Sequence, residues 1–339
     1  MPVAAMVLGV AGHALSAEER AFYRDASPWG FILFRRNVDS PDQVRALTAS
    51  LRECVGYNAP IFVDQEGGRV QRLGPPHWPK YPAGRSYGRL LANDPLARRE
   101  ITRLGTRLIA HDLKSVGIDG DCLPVVDVPI PGAHDVIGDR AYDMDPDTVA
   151  VLGRAAAEGL LAGGVLPVMK HVPGHGRAAV DSHLSLPIVE ADLEALRQRD
   201  FVPFQILADL PIAMTAHVVY TAVDRRAPAT TSRTVLRRIV RGEIGFDGLL
   251  MSDDLSMQAL AGTLAERAEA ALAAGCDIAL HCNGRMDEMT AVASRVRPLA
   301  GKSAQRAKVA LQRIRHVPEP LDVGLARERF DAAFAALAA

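Results

Sequence analysis

Eight short apolar runs, most of them separated by stretches with helical patterning, constrain the fold of this chain more than any other feature. They are Val3–Val10, Gly30–Phe34, Pro60–Asp64, Asp121–Val128, Val165–His171, Ile212–Val219, Gly248–Asp254 and Cys276–Cys282. Near-continuous hydrophobicity over so few residues is the pattern of parallel strands buried on both faces. Between the second and third runs, Ser40-Pro41-Asp42-Gln43 supplies an N-cap, a first-turn proline and a capping-box glutamine, and Val44, Leu47 and Leu51 follow at helical spacing. Between the third and fourth, Ala97, Ile101, Leu104 and Leu108 share one helical face, and the helix is expected to stop near Gly117. Repeated strand–helix alternation predicts an α/β fold: a single (β/α)8 barrel of the TIM type. Beyond about Arg285 the sequence reads as helix, so a C-terminal helical tail is expected on one catalytic domain spanning 1–339.

Several function classes are disfavoured at once. A net charge of −1 lacks the basic excess of a nucleic-acid surface. No apolar run approaches the roughly 20 residues needed to span a bilayer. The N-terminal stretch carries no Lys or Arg before Arg20, so it lacks the charged start of a signal peptide and reads as a first strand. Cys54, Cys122, Cys276 and Cys282 show no CxxC spacing, and three of them sit in apolar runs. A monomer in a reducing cytoplasm, acting on a small molecule and not on nucleic acid or a membrane, is the expectation.

Polar residues gather at the predicted strand ends. Asp64-Gln65-Glu66-Gly67-Gly68-Arg69 follows the third run, and Asp127 and then Gly138-Asp139-Arg140 follow the fourth. Lys170-His171 closes the fifth, His217 lies in the sixth, and Ser252-Asp253-Asp254 closes the seventh. Any one of these can be a satisfied structural group. Five strand ends together are harder to attribute to packing, because buried charges are costly unless paired or used. Barrel enzymes place their active sites at this end of the strands.

The stretch MKHVPGHGRAAVDSHLSLP, from Met169 to Pro187, holds His171, His175 and His183. Their spacing matches no compact zinc site, and the first strand has no His-x-His pair, so neither a metal nor another cofactor is expected. Gly174-His175-Gly176 is neither a GxGxxG nor a P-loop pattern. Asp181 lies two residues before His183, and a nearby carboxylate can orient an imidazole and raise its basicity. Asp253 and Asp254 compete for the role of nucleophile. Either can instead be a helix N-cap, and strand alternation predicts that only one faces the barrel mouth.

Four ordered segments carry a resemblance: VDQEGGRVQR (Val63–Arg72), IGDRAY (Ile137–Tyr142), KHVPGHG with its DSH (Lys170–His183) and MSDDLSM (Met251–Met257). Together they resemble the glycoside hydrolase family 3 β-N-acetylhexosaminidases of the NagZ type. Val172 stands where that pattern more often has Phe, a difference expected to alter loop packing and not chemistry. The resemblance implies a (β/α)8 barrel that removes terminal β-linked N-acetylglucosamine from peptidoglycan fragments. It implies Asp253 as nucleophile, His183 as general acid/base and Asp181 as its dyad partner. It also implies that Asp64, Arg72, Arg140, Lys170 and His171 hold the sugar, and that Gly174 and Gly176 let the loop swing His183 over it. A family 3 β-glucosidase, a broad β-glycosidase or phosphorylase, and a non-catalytic sugar-binding barrel are the alternatives.

Overall fold

The structure is a computed structural model that describes residues 2–338 except 92, 179, 183 and 184. Eight strands close into a barrel in which every neighbouring pair is parallel. In chain order they are β1 (Ala4–Leu8), β2 (Pro28–Leu33), β3 (Ile61–Val63), β4 (Gly120–Asp121), β5 (Leu166–Val172), β6 (Ile212–Thr215), β7 (Leu249–Asp254) and β8 (Ile278–His281). Each falls within or one or two residues beyond a predicted apolar run. Closure comes from β1, whose Met6, Val7 and Leu8 register with Ala279, Leu280 and His281 of β8.

Two strands are much shorter than expected, for local reasons. The run Asp121–Val128 keeps only its first residue as regular strand. Pro124 has no N–H to give a ladder, and beyond it the chain bonds to β5 through Lys170 N to Pro124 O, 3.0 Å, and Val126 N to Lys170 O, 2.9 Å. The run Ile212–Val219 ends as barrel strand at Thr215, and Val219–Tyr220 instead pairs with Ile188–Val189 in a separate two-stranded sheet.

The surrounding helices begin where sequence chemistry starts them. Helix α1 (Ala17–Ala26) opens on a complete capping box between Ser16 and Glu19. Helix α2 (Pro41–Val55) is capped by the Ser40 side chain, which accepts from Gln43 N, and buries Val44, Leu47 and Leu51. Its capping box is only half made, because the Gln43 side chain accepts from Asp39 N instead of Ser40 N. Helix α3 (Pro95–Ser115) buries Ile101 and Leu108, leaves Ala97 and Leu104 half-buried, and ends just before Gly117, as expected. After β8 the chain is helical over Met286–Ala293, Gly301–Gln312 and Val323–Ala338. Among the described residues no helix is long and apolar enough to cross a membrane. All four cysteines are buried and free.

Candidate active site

The strands deliver their polar side chains to one mouth. Asp64 follows β3 directly, Lys170 and His171 lie near the end of β5, and Asp253 and Asp254 end β7. All five line one cleft with Glu66, Arg72, Arg140, His175, Ser182 and Phe34. Of the predicted sugar-holding residues, the structure brings together all five. His183 lies outside the described residues. Asp181 is half-buried on the segment leading to it.

One wall is a chain of alternating charges. Asp64 accepts from Arg72 Nη2 at 3.0 Å and from Lys170 Nζ at 2.9 Å. The same ammonium lies 2.6 Å from Glu66 Oε1. Glu66 in turn takes both Nε and Nη2 of Arg140, each at 2.8 Å, a bidentate pair. Burial alone would push both carboxyls up. The cations outweigh it, Lys170 and Arg72 at Asp64, Arg140 and Lys170 at Glu66. Asp64 is held well below the usual carboxylate range and Glu66 is lowered to about 2. Arg72 also stacks over the Phe34 ring, 5.2 Å from its centroid.

The second wall is built of imidazoles. Asp127 accepts from the His171 ring, Nδ1 to Oδ2 at 2.7 Å, and from the backbone N–H of both His171 and His175. With the Nδ1 proton committed to this carboxylate, His171 keeps Nε2 for the cleft. His217 donates Nε2–H to the Asp254 carbonyl at 2.9 Å, since a carbonyl only accepts, and Thr230 Oγ1 sits 2.7 Å from Nδ1. His175 is buried, bonds Ser182 Oγ at 3.3 Å, and has its pKa lowered to about 4 by burial and by His171.

Both Asp253 and Asp254 border the cleft, so strand alternation does not separate them, but hydrogen bonding does. The Asp254 carboxylate accepts from Ser256 N, Ser256 Oγ and Cys282 N at 3.1, 2.5 and 3.2 Å, which ties it to the turn after β7 and to the end of β8. Asp253 accepts only the backbone N–H of Asp254, at 2.8 Å, among the described residues. Burial pushes the Asp253 carboxyl up, yet His171, His217, that N–H and Lys170 together hold it below its ordinary value. It is therefore held as a carboxylate, with one oxygen that no donor among the described residues engages.

Gly176, expected to serve loop motion, also meets a packing demand. A Cβ there would lie 2.1 Å from the Val128 carbonyl oxygen, so close packing requires this glycine. Gly174, at φ +134, does occupy a conformation that favours glycine. Glu66 and Asp127 stand among the polar strand-end residues, but the sequence assigns neither a role in the site. Both stood in quoted segments, but their partners Arg140 and His171 are distant in sequence. Among the described residues, no three His, Cys, Asp or Glu side chains gather to hold a metal ion.

Polar side chains drawn from several strand ends of a parallel barrel are how (β/α)8 enzymes build an active site. This chain belongs to glycosyl hydrolase family 3: the sequence profile of the Glycosyl hydrolase family 3 N terminal domain matches residues 6–317. It is 40% identical over 316 residues to a Beta-hexosaminidase of Pseudomonas aeruginosa, covering 92% of this chain and 88% of that one. A Beta-hexosaminidase of Alkalilimnicola ehrlichii is 42% identical over 282 residues, with 82% and 80% covered. The crystal structure of NagZ from Neisseria gonorrhoeae in complex with N-trifluoroacetyl-D-glucosamine superposes with a TM-score of 0.87 at 33% identity, covering 98% of this chain and 99% of that one.

Proposed function

We propose that this β-N-acetylhexosaminidase is a retaining exo-enzyme that removes terminal β-linked N-acetylglucosamine from peptidoglycan fragments. Its substrates are GlcNAc-1,6-anhydro-MurNAc and its peptide-bearing forms, and its setting is cell-wall recycling in the cytoplasm. The protein acts as a monomer, with 1–339 as one catalytic domain. The observation that carries the mechanism is Asp253, an ionised carboxylate at the barrel mouth with one oxygen that no donor among the described residues engages. In that state it can attack the anomeric carbon and form a glycosyl ester.

Retaining glycosidases ordinarily pair the nucleophile with a second carboxyl group about 5 Å away. Here the imidazole of His183, tuned by Asp181, takes that part. Protonated, it donates to the departing oxygen; neutral, it removes a proton from the water that cleaves the ester. An imidazole with an ordinary pKa of about 6.5 populates both forms near neutrality. Asp64, Arg72, Arg140, Lys170 and His171 orient the sugar. Because Lys170 and Arg140 are neutralised by Asp64 and Glu66, they suit uncharged hydroxyl and acetamido oxygens better than an anion.

Two measurements test this reading. Aryl β-N-acetylglucosaminide should turn over and aryl β-glucoside should not; preference for the glucoside would assign the chain to the other branch, and binding without turnover would make it a lectin-like barrel. His183→Ala should slow substrates with poor leaving groups by roughly 10²–10⁴-fold, the usual contribution of a general acid. Activated aryl substrates should still form the ester on Asp253, which then accumulates and breaks down faster with azide, a nucleophile that needs no proton removed. Equal slowing for all leaving groups, with no trapped intermediate, would remove His183 from the acid/base role.

A further inference from the structure

Asp121, the last residue of β4, is fully buried beneath the charged wall. Its Oδ1 accepts the backbone N–H of Gln65 at 2.9 Å, the residue between Asp64 and Glu66. Its Oδ2 has no hydrogen-bond partner among the described residues. The charged and titratable groups that face it are Lys170 on β5, Asp64 and Glu66 after β3, Tyr142 from the segment beyond β4, and Cys122 beside it in the chain. Lys170 is the one cation of this set, and its ammonium is already shared between Asp64 and Glu66, at 2.9 and 2.6 Å. A third carboxylate would thus be an uncompensated buried charge.

We propose that Asp121 is a positioning residue that works as a neutral carboxylic acid, fixing the Asp64–Glu66 strand end through Gln65, and that its ionisation is what weakens sugar binding on the alkaline side. Burial and the two neighbouring carboxylates oppose the Gln65 N–H and Lys170, and the balance pushes its pKa up to about 8. Once ionised, Asp121 competes for the Lys170 ammonium. That loosens Asp64 and Glu66, and with Glu66 the bidentate grip on Arg140. The inference rests on the reading that this wall holds the sugar.

The test is the affinity for N-acetyl-D-glucosamine, a neutral ligand whose binding needs no proton from His183, measured by calorimetry from pH 6 to 9.5. The wild-type Kd should rise by about tenfold or more across the alkaline half of this range, approaching tenfold per pH unit once the group is ionised. Asp121→Asn keeps an acceptor for Gln65 N–H and cannot ionise, so its Kd should be flat with pH. Asp121→Ala loses the acceptor and should bind more weakly at every pH. Parallel pH profiles for wild type and Asp121→Asn would overturn the proposal, as would a flat wild-type profile. Should Asp121→Asn fail to fold, infrared difference spectra of the wild type decide. A protonated-carboxyl carbonyl band that vanishes in step with affinity supports the proposal, and its absence at pH 7 refutes it. If N-acetyl-D-glucosamine binds at no pH, the sugar-binding reading of the wall fails instead, while the infrared titration still reports on Asp121.

Discussion

Asp253→Ala is expected to lower kcat by roughly four to six powers of ten, the scale seen when a covalent nucleophile is removed and nothing replaces it. The loss should fall on turnover and not on folding. Among the described residues the Asp253 side chain makes one hydrogen bond, to its neighbour's backbone, so near-ultraviolet circular dichroism and the unfolding midpoint should stay close to wild type. Asp254→Ala is the informative contrast. It leaves Ser256 N, Ser256 Oγ and Cys282 N without their acceptor. Stability should drop by about 1 kcal/mol, the lower end of the usual cost of stranding donors, because these are only partly buried, while measurable turnover persists. The two variants thus separate the adjacent aspartates by which quantity moves. A dead Asp254→Ala beside an active Asp253→Ala would exchange their roles. A trapped ester in wild type, located on Asp253 by peptide mass spectrometry with a slow 5-fluoro N-acetylglucosaminide, would tie the kinetic loss to the covalent step.

The barrel was legible because buried parallel strands write themselves as short apolar runs, and most of the eight are separated by stretches with helical patterning. What the runs could not give was the length of each ladder. Asp121–Val128 reads as one strand from Cys122, Leu123, Val125, Val126 and Val128, but Pro124 removes a donor that periodicity does not count. Strand ends likewise marked the mouth of the site without assigning its interior. Glu66 bonds Arg140 across 74 positions and Asp127 bonds His171 across 44. No local pattern encodes which acid will meet which base over such distances. Asp253 and Asp254 show the same limit at shortest range. They are identical in type and adjacent, and only the donors that reach Asp254 from the following turn and from β8 distinguish them. Gly176 has a packing role invisible in the sequence, because the Val128 carbonyl that requires it lies nearly fifty residues earlier.

Replacing Lys170 should have the largest effect on the fold. Its side chain is 3% exposed, and its ammonium is the joint between Asp64 and Glu66. Lys170→Met keeps the volume of the stem and removes the charge, which leaves two carboxylates facing each other. Breaking a buried pair by removing one partner costs about 3–5 kcal/mol; Arg72 and Arg140 remain as partners, so the lower end of that range is expected at pH 7. Sugar affinity should fall with it, because both carboxylates lose the group that aligns them. The pH dependence gives the cause. In the wild type, Asp64 and Glu66 have depressed pKa values, so their contribution is present above the ordinary carboxylate range and is lost as pH falls through their folded values. Without Lys170 those values rise, and the carboxylates can take up protons earlier. The stability gap between wild type and Lys170→Met should therefore be widest at neutral pH and narrow below pH 4.5, the ordinary glutamate value. Adding Glu66→Gln to Lys170→Met should recover part of the lost stability, since one uncompensated charge is gone, but not turnover, since Arg140 then loses its ionic partner. Lys170→Arg should not rescue either, because a planar fork cannot place one point charge between two carboxylates as an ammonium does. A Lys170→Met protein that unfolds in urea at the wild-type midpoint at pH 7 would show that this chain of charges does not hold the strand ends together.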